Sequence, residues 1–249
     1  SSILKREEPI VQELANEYLT EQGITILNDV TLNSVSNDGN KPVITVNGQN
    51  YTFDAVLYAT GRKPNTANIG LENTDITTNE RGAIVVNDTC ESSVPGVYAV
   101  GDVNGGPQFT YISLDDFRIV FGALTGNSQY TLKDRKNIPY TTFLTPPLSR
   151  VGLTEEDAIN QGYTVKTKEM LVATMPRAHV NDYLKGAFKI VVDADNDLIL
   201  GATLYSQGAE ELINLIKMAM DNNIPYTYFK NQIFTHPTMA ENLNDLCNF

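Results

Sequence analysis

The sequence predicts α/β segments in the first part of the chain, followed from residue 138 onward by a separate α+β unit. Two continuous apolar runs, AVLYA at 55–59 and GVYAV at 96–100, are typical of strands buried on both faces, as in a parallel sheet. After residue 138 the order of patterns is three strands with flanking helices, which is typical of an α+β unit. The three strand patterns lie near 163–173, 187–192 and 198–205.

The composition is that of a folded protein with an acidic surface. Hydrophobic residues make up 41% of the 249 residues and charged residues 19%, and the net charge is −12. Such a charge repels phosphate backbones and anionic lipids, so neither nucleic acid nor a membrane is an expected partner. The two cysteines, Cys90 and Cys247, are too few for a disulfide scaffold and too widely spaced for a CxxC site.

No targeting or membrane-spanning segment is apparent in the sequence. No apolar run approaches the ~18 residues of a membrane span. The first residues, SSILKREEP, lack the apolar stretch of a signal peptide. A reducing, cytoplasmic location is therefore the expectation.

In the first half, the elements follow from local patterns. Apolar residues at helical spacing predict a helix over 7–22, which Gly23 ends. A short apolar strand is expected over 24–27. Asn-Asp-Gly at 37–39 and Asn-Gly at 47–48 supply turns for a small β-meander. Its strands are expected around 30–35, 42–46 and 51–53.

Helical patterns dominate the remaining predictions. An amphipathic helix is expected over 111–124, and Thr154 begins a short helix as an N-cap followed by an acidic first turn. Asp-Asn-Asp at 195–197 marks a hairpin turn. Residues 209–222 form the clearest helical pattern, and a last short helix is expected to begin near Thr238.

Three short motifs are informative in combination. ATGRKPN occupies 59–65 and VYAVGD occupies 97–102, each at the end of a predicted buried strand, and HPTMAE occupies 236–241. In this order and at these separations they resemble the flavin-dependent pyridine nucleotide–disulfide oxidoreductases, over essentially the whole chain. That family includes glutathione reductase, dihydrolipoamide dehydrogenase and mercuric reductase. The sequence around 175–178 and the ending FTHPTMAENLNDL look most similar to bacterial reductases of hypothiocyanous acid and reactive chlorine resistance.

The resemblance implies FAD and NAD(P)H as cofactors, and a larger parent protein. The family's two GxGxxG turns and its CxxxxC redox-active pair do not occur in the chain. We therefore expect a C-terminal fragment that is inactive alone and retains no flavin. By resemblance, 1–60 is the end of the NAD(P)-binding domain and 61–137 the returning segment of the FAD-binding domain. Residues 138–249 would be the complete interface domain through which family members form homodimers.

The resemblance also bears on the substrate, a disulfide or a small oxidant. Mercuric reductases end in a vicinal cysteine pair, whereas Cys247 is single, which argues against mercury. No metal site is expected. A surplus of apolar side chains on the helix 209–222 is expected to contribute to the dimer interface. These residues are Leu212, Leu215, Ile216 and Met220.

Gly101 and Asp102 are candidates for flavin contact, by resemblance. A glycine lets the chain pass close to a cofactor, and a short carboxylate can hold ribityl hydroxyls. From the residues alone, Gly-Asp is equally a common turn that closes a strand. Phe109 and Thr110, where the loop meets the next helix, are further cofactor candidates, and that helix would direct its positive end at the flavin.

Gly61 is a candidate for close packing at both cofactors, although an ordinary glycine turn is the structural alternative. Arg62 and Lys63 are either solvated charges or contacts of a cofactor phosphate. Without a glycine-rich turn neither could bind a dinucleotide strongly by itself.

His236 and Glu241 are the catalytic candidates. Histidine suits proton transfer near neutral pH, and the following Pro237 favours an extended conformation at His236. The resemblance implies an acid–base pair that serves the disulfide of the partner subunit. Two structural alternatives remain open, a lone histidine as a hydrogen-bonding residue and Thr238-x-x-Glu241 as a capping box. His179 has no comparable context and is expected in a loop.

Two functions of different classes fit the sequence. The first is part of a flavin reductase that passes electrons from NAD(P)H to a disulfide. The second is a non-catalytic dimerisation module without a bound cofactor.

Overall fold

A computed structural model describes residues 2–249 and divides them into two compact units. The first unit joins the residues up to Phe53 with Asn137–Phe249, and the second is Asp54–Lys136. Among the residues described, no helix is both long and apolar enough to cross a membrane.

A five-stranded antiparallel sheet forms the centre of the first unit. Its strands are β4 (Tyr140–Thr142), β5 (Leu148–Gly152), β6 (Val165–Leu171), β7 (Ala187–Asp193) and β8 (Ile199–Tyr205). Their order in the sheet is β4-β5-β8-β7-β6, and β7 and β8 form the predicted hairpin around 195–197. Every residue of β7 is buried, and β8 is the central strand of the sheet.

The helices described between residues 155 and 246 accompany this sheet. They are α3 (Glu155–Asn160), α4 (Pro176–Val180), α5 (Ala209–Asp221), α6 (Tyr226–Asn231) and α7 (Asn242–Leu246). Thr154 caps α3 as predicted, since its hydroxyl accepts from the Asp157 N–H at 3.1 Å. The helix predicted near Thr238 begins later, at Asn242, because residues 238–241 form a turn that precedes it.

The helix α5 confirms the predicted amphipathic pattern but not the predicted surplus of apolar surface. Leu212 and Ile216 are 5% and 0% exposed, inside the core that α5 forms with β5 and β8. Leu215 and Met220 pack partly buried against the same core. The prediction that these four side chains are left over for an interface is wrong for Leu212 and Ile216, which the sheet beneath α5 buries, whereas Leu215 and Met220 are only partly covered.

The first helix of the chain, α1 (Pro9–Glu21), packs against this sheet. Its apolar face buries Val11, Ala15 and Tyr18 in a cluster with Leu148 and Tyr205. The rings of Tyr18 and Tyr205 lie 5.8 Å apart. The predicted helix over 7–22 is confirmed, and its apolar stripe belongs to the same unit as β5 and β8.

One backbone hydrogen bond fixes α1 at a place where only glycine fits. The Gly186 N–H donates to the Tyr18 hydroxyl at 2.8 Å, in a buried environment. Gly186 has a φ of +121°, and a Cβ there would lie 1.8 Å from the Tyr205 carbonyl oxygen. The chain can therefore pass beside the Tyr205 carbonyl only without a side chain at position 186.

A buried lysine links the residue before α1 to the sheet. Lys189 is 5% exposed and pairs with Glu8, Glu155 and Glu169 at 2.6–3.0 Å. Burial lowers the pKa of Lys189, but hydrogen bonds to the three carboxylates outweigh it and the pKa lies above its usual value. Glu8 also accepts from the backbone N–H of Glu155 at 2.8 Å, so its buried carboxylate is well satisfied.

The predicted β-meander is confirmed, whereas the predicted strand over 24–27 is absent. An antiparallel sheet of order β1-β2-β3 is formed by β1 (Leu32–Asn37), β2 (Pro42–Val46) and β3 (Gln49–Thr52). Ile24 and Leu27 are about half exposed, at 46% and 50%, and no strand among the described residues pairs with them.

The second unit contains one long helix, α2 (Thr110–Leu124), and irregular segments around it. The helix agrees with the prediction over 111–124. The strand predictions over 55–59 and 96–100 are wrong: Leu57 is 90% exposed, and the second run forms only an isolated bridge from Tyr98 to Glu91. A strand needs neighbours to satisfy its backbone. Among residues 2–249 no strand pairs with the run over 55–59, and the run over 96–100 pairs only with the short segment around Glu91.

Candidate functional site

His236 and Glu241 lie in direct contact at the loop between α6 and α7. The ring Nδ1 of His236 is 2.7 Å from Glu241 Oε2, and the histidine side chain is 67% exposed. Because a carboxylate can only accept, Nδ1 carries the proton in this bond and Nε2 is the nitrogen left to exchange protons with a substrate.

The other oxygen of Glu241 takes part in the reciprocal hydrogen bonds of a capping-box pattern, within the turn that precedes α7. Glu241 Oε1 accepts from the Thr238 N–H at 3.0 Å, and the Thr238 hydroxyl accepts from the Glu241 N–H at 3.2 Å. The contact with His236 and the hydrogen bond from Thr238 thus use different carboxylate oxygens. Hydrogen bonds from His236 and then from Thr238 hold the pKa of Glu241 below its usual value, so its carboxylate is ionised at neutral pH.

Further side chains fix the loop that carries His236. The Asn244 side-chain amide donates to the carbonyls of Phe229 and Gln232, at 2.6 and 2.9 Å. The Thr238 hydroxyl donates to the Thr235 carbonyl at 2.8 Å. The imidazole is therefore exposed, while the backbone on both sides of it is tied to α6 and α7.

In the second unit, Gly101 and Asp102 begin a 3₁₀ turn over Gly101–Asn104. Gly101 has a φ of +73°, and a Cβ there would lie 2.6 Å from the Ser113 hydroxyl of α2. The glycine is thus required by close approach to α2. The Asp102 side chain is 45% exposed and lies 3.4 Å from an Arg62 nitrogen, so its carboxylate is accessible to a ligand.

The remaining cofactor candidates lie in the same unit. Phe109 immediately precedes α2, and its ring stacks on Tyr111 at 5.1 Å. Thr110 is the first residue of α2, and no side chain caps that helix end. Gly61 has a φ of +114° and nothing within 4 Å of the position of a Cβ, so the backbone conformation, not packing within this chain, requires glycine.

A buried charge cluster that none of the sequence motifs indicated lies beneath the Gly101–Asn104 turn. Asp116 on α2 is wholly buried and pairs with Arg135, whose side chain is 9% exposed. Asp116 Oδ2 accepts from the Gly101 N–H at 2.7 Å and from the Asn104 side-chain amide at 2.9 Å. The signal was present, because Asp116 lies on the same face of α2 as the buried residues Ile112 and Ile119.

The other histidine contacts a backbone carbonyl, and both cysteines are buried. His179 lies in α4, not in a loop as predicted, and its Nε2 is 2.8 Å from the Ala173 carbonyl. Both thiols are buried and unpaired. Burial raises the pKa of Cys90 to about 11 and that of Cys247 to about 12, so neither is a ready nucleophile. No cluster of three potential metal ligands occurs within residues 2–249.

Two family models match the chain. One, described as pyridine nucleotide-disulphide oxidoreductase, matches residues 1–116, and the other, described as the dimerisation domain of pyridine nucleotide-disulphide oxidoreductase, matches 138–247. Both the recognition made from the three motifs and the predicted fold class are confirmed.

Curated relatives and solved structures agree with these models. The probable pyridine nucleotide-disulfide oxidoreductase RclA of Escherichia coli is 43% identical over 99% of this chain, which covers 56% of that protein. Mercuric reductase of Staphylococcus aureus is 35% identical over 97% of this chain and 45% of its own length. The structure of HOCl-induced flavoprotein disulfide reductase RclA from Escherichia coli superposes with a TM-score of 0.95, at 42% identity, over 99% of this chain and 57% of that one. The chain spans about half the length of the curated relatives it matches.

Proposed function

Since the chain belongs to the pyridine nucleotide–disulfide oxidoreductase family, whose members depend on FAD and NAD(P)H, we propose that it serves such a reductase. In this proposal it contributes an acid–base pair, part of a flavin site and a dimer interface. The substrate is a disulfide or a small oxidant, reduced through a redox-active cysteine pair supplied by the remainder of such a reductase. The two buried, high-pKa thiols support this division, because neither Cys90 nor Cys247 can serve as that pair.

The domain assignment is part of the proposal. Residues 1–60 are the closing part of the NAD(P)-binding domain, 61–137 the returning segment of the FAD-binding domain, and 138–249 the interface domain. A cytoplasmic location belongs to the same proposal, because unpaired thiols suit a reducing compartment.

The contact between Nδ1 of His236 and Glu241 carries the catalytic part of the proposal. Glu241 holds the ring in the tautomer that leaves Nε2 able to accept a proton from a thiol and return it to a leaving sulfur. The neighbouring carboxylate stabilises the imidazolium that forms when Nε2 is protonated. An imidazolium close to a thiolate also stabilises the thiolate.

The residues of the second unit fit a flavin. The Asp102 carboxylate is accessible and can accept from ribityl hydroxyls, and the uncapped start of α2 at Thr110 offers the positive end of a helix dipole. Phe109 and Gly61 complete the proposed contacts. Bound FAD would supply the transfer of electrons from NAD(P)H to the disulfide. What the chain's own residues do is bind and orient that group.

A homodimer through 138–249 is proposed from the dimerisation-domain match. Apolar side chains other than those predicted on α5 are available for it. Ile233 is 94% exposed, Phe143 78% and Tyr228 54%. Sedimentation at micromolar concentration should give a dimer, and a monomer would contradict this part of the proposal.

The catalytic proposal is tested in the complete gene product that carries this chain. His236→Gln should lower turnover of a disulfide or oxidant by about 10²–10⁴-fold, with flavin content and dimer unchanged, because general acid–base help is worth that much. The matched control is His179→Gln, which removes the other histidine and should leave turnover as in wild type. A His236→Gln enzyme at full speed would end the catalytic assignment.

Glu241→Gln separates the two roles of the glutamate. Glutamine still suits the capping box, but it removes the negative charge beside the imidazole. Because the imidazolium then loses a stabilising neighbour, the acid limb of the pH–rate profile should move to lower pH. An unchanged profile would leave capping as the sole role of Glu241.

The alternative, a non-catalytic dimerisation module, makes an opposite prediction for the complete gene product. Under this alternative, the complete gene product shows neither flavin absorbance nor NAD(P)H oxidation. The chain of 249 residues alone is expected to bind no stoichiometric flavin under either proposal, because it contains no GxGxxG turn for the pyrophosphate. A yellow preparation of this chain with one flavin per molecule would contradict that expectation.

A further inference from the structure

The buried charge cluster of Asp116 and Arg135 lies directly beneath the turn that carries Asp102. Asp116 uses both carboxylate oxygens: Oδ1 pairs with Arg135, and Oδ2 accepts from the Gly101 N–H and the Asn104 side chain. Gly101 and Asn104 are the first and last residues of that turn. A single carboxylate therefore fixes both ends of the segment.

The buried Asp116 carboxylate has a cationic partner. Burying a carboxylate without a counter-ion is costly in free energy, and breaking such a pair leaves an uncompensated charge. Arg135 supplies the counter-ion from a side chain that is itself 9% exposed. An ionised acceptor makes stronger hydrogen bonds to the turn than a neutral one.

The exposed ion pair of Asp102 with Arg62 cannot fix the Asp102 side chain as firmly as Asp116 fixes the turn. Its pair with Arg62 spans 3.4 Å between side chains that are 45% and 67% exposed, and such surface pairs contribute little. The orientation of Asp102 is thus determined by the backbone of Gly101–Asn104, which Asp116 holds from below.

We propose that Asp116 and Arg135 are positioning residues for the flavin: they touch no cofactor atom but hold the Gly101–Asn104 turn so that Asp102 is oriented to bind it. The inference rests on the flavin role of Asp102 proposed above. It extends that role to two buried residues that the three sequence motifs do not include.

Asp115 provides a matched control on the same helix. It accepts from Arg135 Nε at 2.7 Å and from the Tyr130 hydroxyl at 3.3 Å, and none of its hydrogen bonds is to the Gly101–Asn104 turn. Asp116→Asn and Asp115→Asn therefore each remove one negative charge from Arg135. Only Asp116→Asn also weakens the hydrogen-bond acceptor of Gly101 and Asn104.

The experiment measures FAD affinity in the complete gene product by the change of flavin fluorescence on binding to the apoprotein. Asp116→Asn should raise the Kd for FAD by about tenfold or more, because hydrogen bonds to charged groups change equilibria by such factors. Asp115→Asn should stay within about threefold of wild type. Arg135→Lys, which keeps a charge, should retain more affinity than Arg135→Met.

A second readout needs no flavin. In the apoprotein, hydrogen exchange of the Gly101 amide should become about tenfold or more faster in Asp116→Asn and remain as in wild type in Asp115→Asn, since only Asp116 accepts from that amide. If Asp116→Asn does not fold, Asn104→Ala replaces it. That variant keeps the ion pair, removes one donor of the turn, and should also weaken FAD binding.

The outcomes separate this inference from the proposed function. Equal FAD affinity, or equal exchange of the Gly101 amide, in the two aspartate variants would overturn the positioning role while leaving the flavin site intact. A wild-type protein that binds no FAD would overturn the proposed flavin site, and with it the role of Asp116 toward flavin. Faster exchange in Asp116→Asn together with weaker FAD binding supports the inference.

Discussion

In the Asn137–Phe249 sheet, Phe188, Ile190 and Leu204 are wholly buried, whereas in Asp54–Lys136 Leu57 is 90% exposed and Tyr58 is 79% exposed. Both regions contain continuous apolar runs in the sequence. The difference is that each strand of the sheet has partners within the same unit, and the run over 55–59 has none among the described residues. Apolar character alone does not bury a segment, because backbone groups must also be paired.

The two regions are also stabilised differently. The sheet unit packs a large apolar cluster between α5 and the strands. In the other unit, side-chain amides define the loops: Asn79 Oδ1 accepts from the Arg81 and Ala83 N–H groups, and Asn87 Oδ1 from the Thr89 and Glu91 N–H groups. Such local hydrogen bonds fix turns without a large core.

Limited proteolysis should give the largest difference between the regions. We expect complete cleavage within 54–136 before any within 137–249, because exposed backbone without strand partners opens most easily. Helix α1 should remain bound to the resistant part after cleavage, since Tyr18 and Glu8 tie it to the sheet unit. Mass spectrometry of the purified resistant species checks this. Loss of α1 together with the loops would contradict the packing described.

Two phenylalanine substitutions compare the burial of the regions directly. Phe188→Ala should lower the free energy of unfolding by about 3–5 kcal/mol, because it leaves a cavity in a fully buried site. Phe117→Ala, at a side chain that is 55% exposed, should change it by less than about 0.5 kcal/mol. Urea unfolding of this chain measures both, and similar losses would show that the two units are stabilised alike.

Removing two tyrosine hydroxyls, one buried and one exposed, compares how much each hydrogen bond contributes to the free energy of unfolding. Tyr18→Phe should cost about 1–3 kcal/mol of unfolding free energy, because the buried Gly186 N–H loses its acceptor. Tyr130→Phe removes a hydroxyl 3.3 Å from Asp115 at a 40% exposed side chain and should cost under about 0.5 kcal/mol. The same unfolding assay applies, and an equal cost for the two would be the contrary result.

The smallest expected effect is at the cysteines, one in each unit. Neither Cys90 nor Cys247 should react with iodoacetamide at pH 8, because burial raises both thiol pKa values. Unfolded thiols ionise near pH 8.5, so the folded state binds more protons above that pH and stability should fall as pH rises toward 11. Rapid alkylation of either native thiol would contradict its burial.

Sequence patterns predicted those elements whose evidence is local. The amphipathic period of α5, the hairpin of β7 and β8 and the turns of the meander each lie within a few residues. The strands expected over 55–59 and 96–100 failed because partners for a strand are not visible in the strand itself. The burial of α5 residues was misjudged for the same reason, since the face that covers them comes from β5 and β8.

In the candidate site, too, contacts between residues close in sequence could be predicted and contacts between distant residues could not. The contact of His236 with Glu241 spans five residues and was within reach of motif reasoning. The pairing of Asp116 with Arg135 spans 19 residues and joins a helix to a loop, so no local pattern contains it. Sequence also left capping and histidine binding as competing roles of Glu241, because only the three-dimensional structure shows that the two contacts use different oxygens.

Because the two carboxylate oxygens of Glu241 have different partners, few substitutions should be tolerated at position 241. Aspartate is one methylene shorter and cannot span from Thr238 to the imidazole, and glutamine keeps the cap but not the charge. In a saturation library selected for activity, position 241 should therefore accept no other residue fully. A library selected for folding alone should accept glutamine there. The difference between the residues accepted in the two selections therefore separates the catalytic contribution of the Glu241 side chain from its structural contribution.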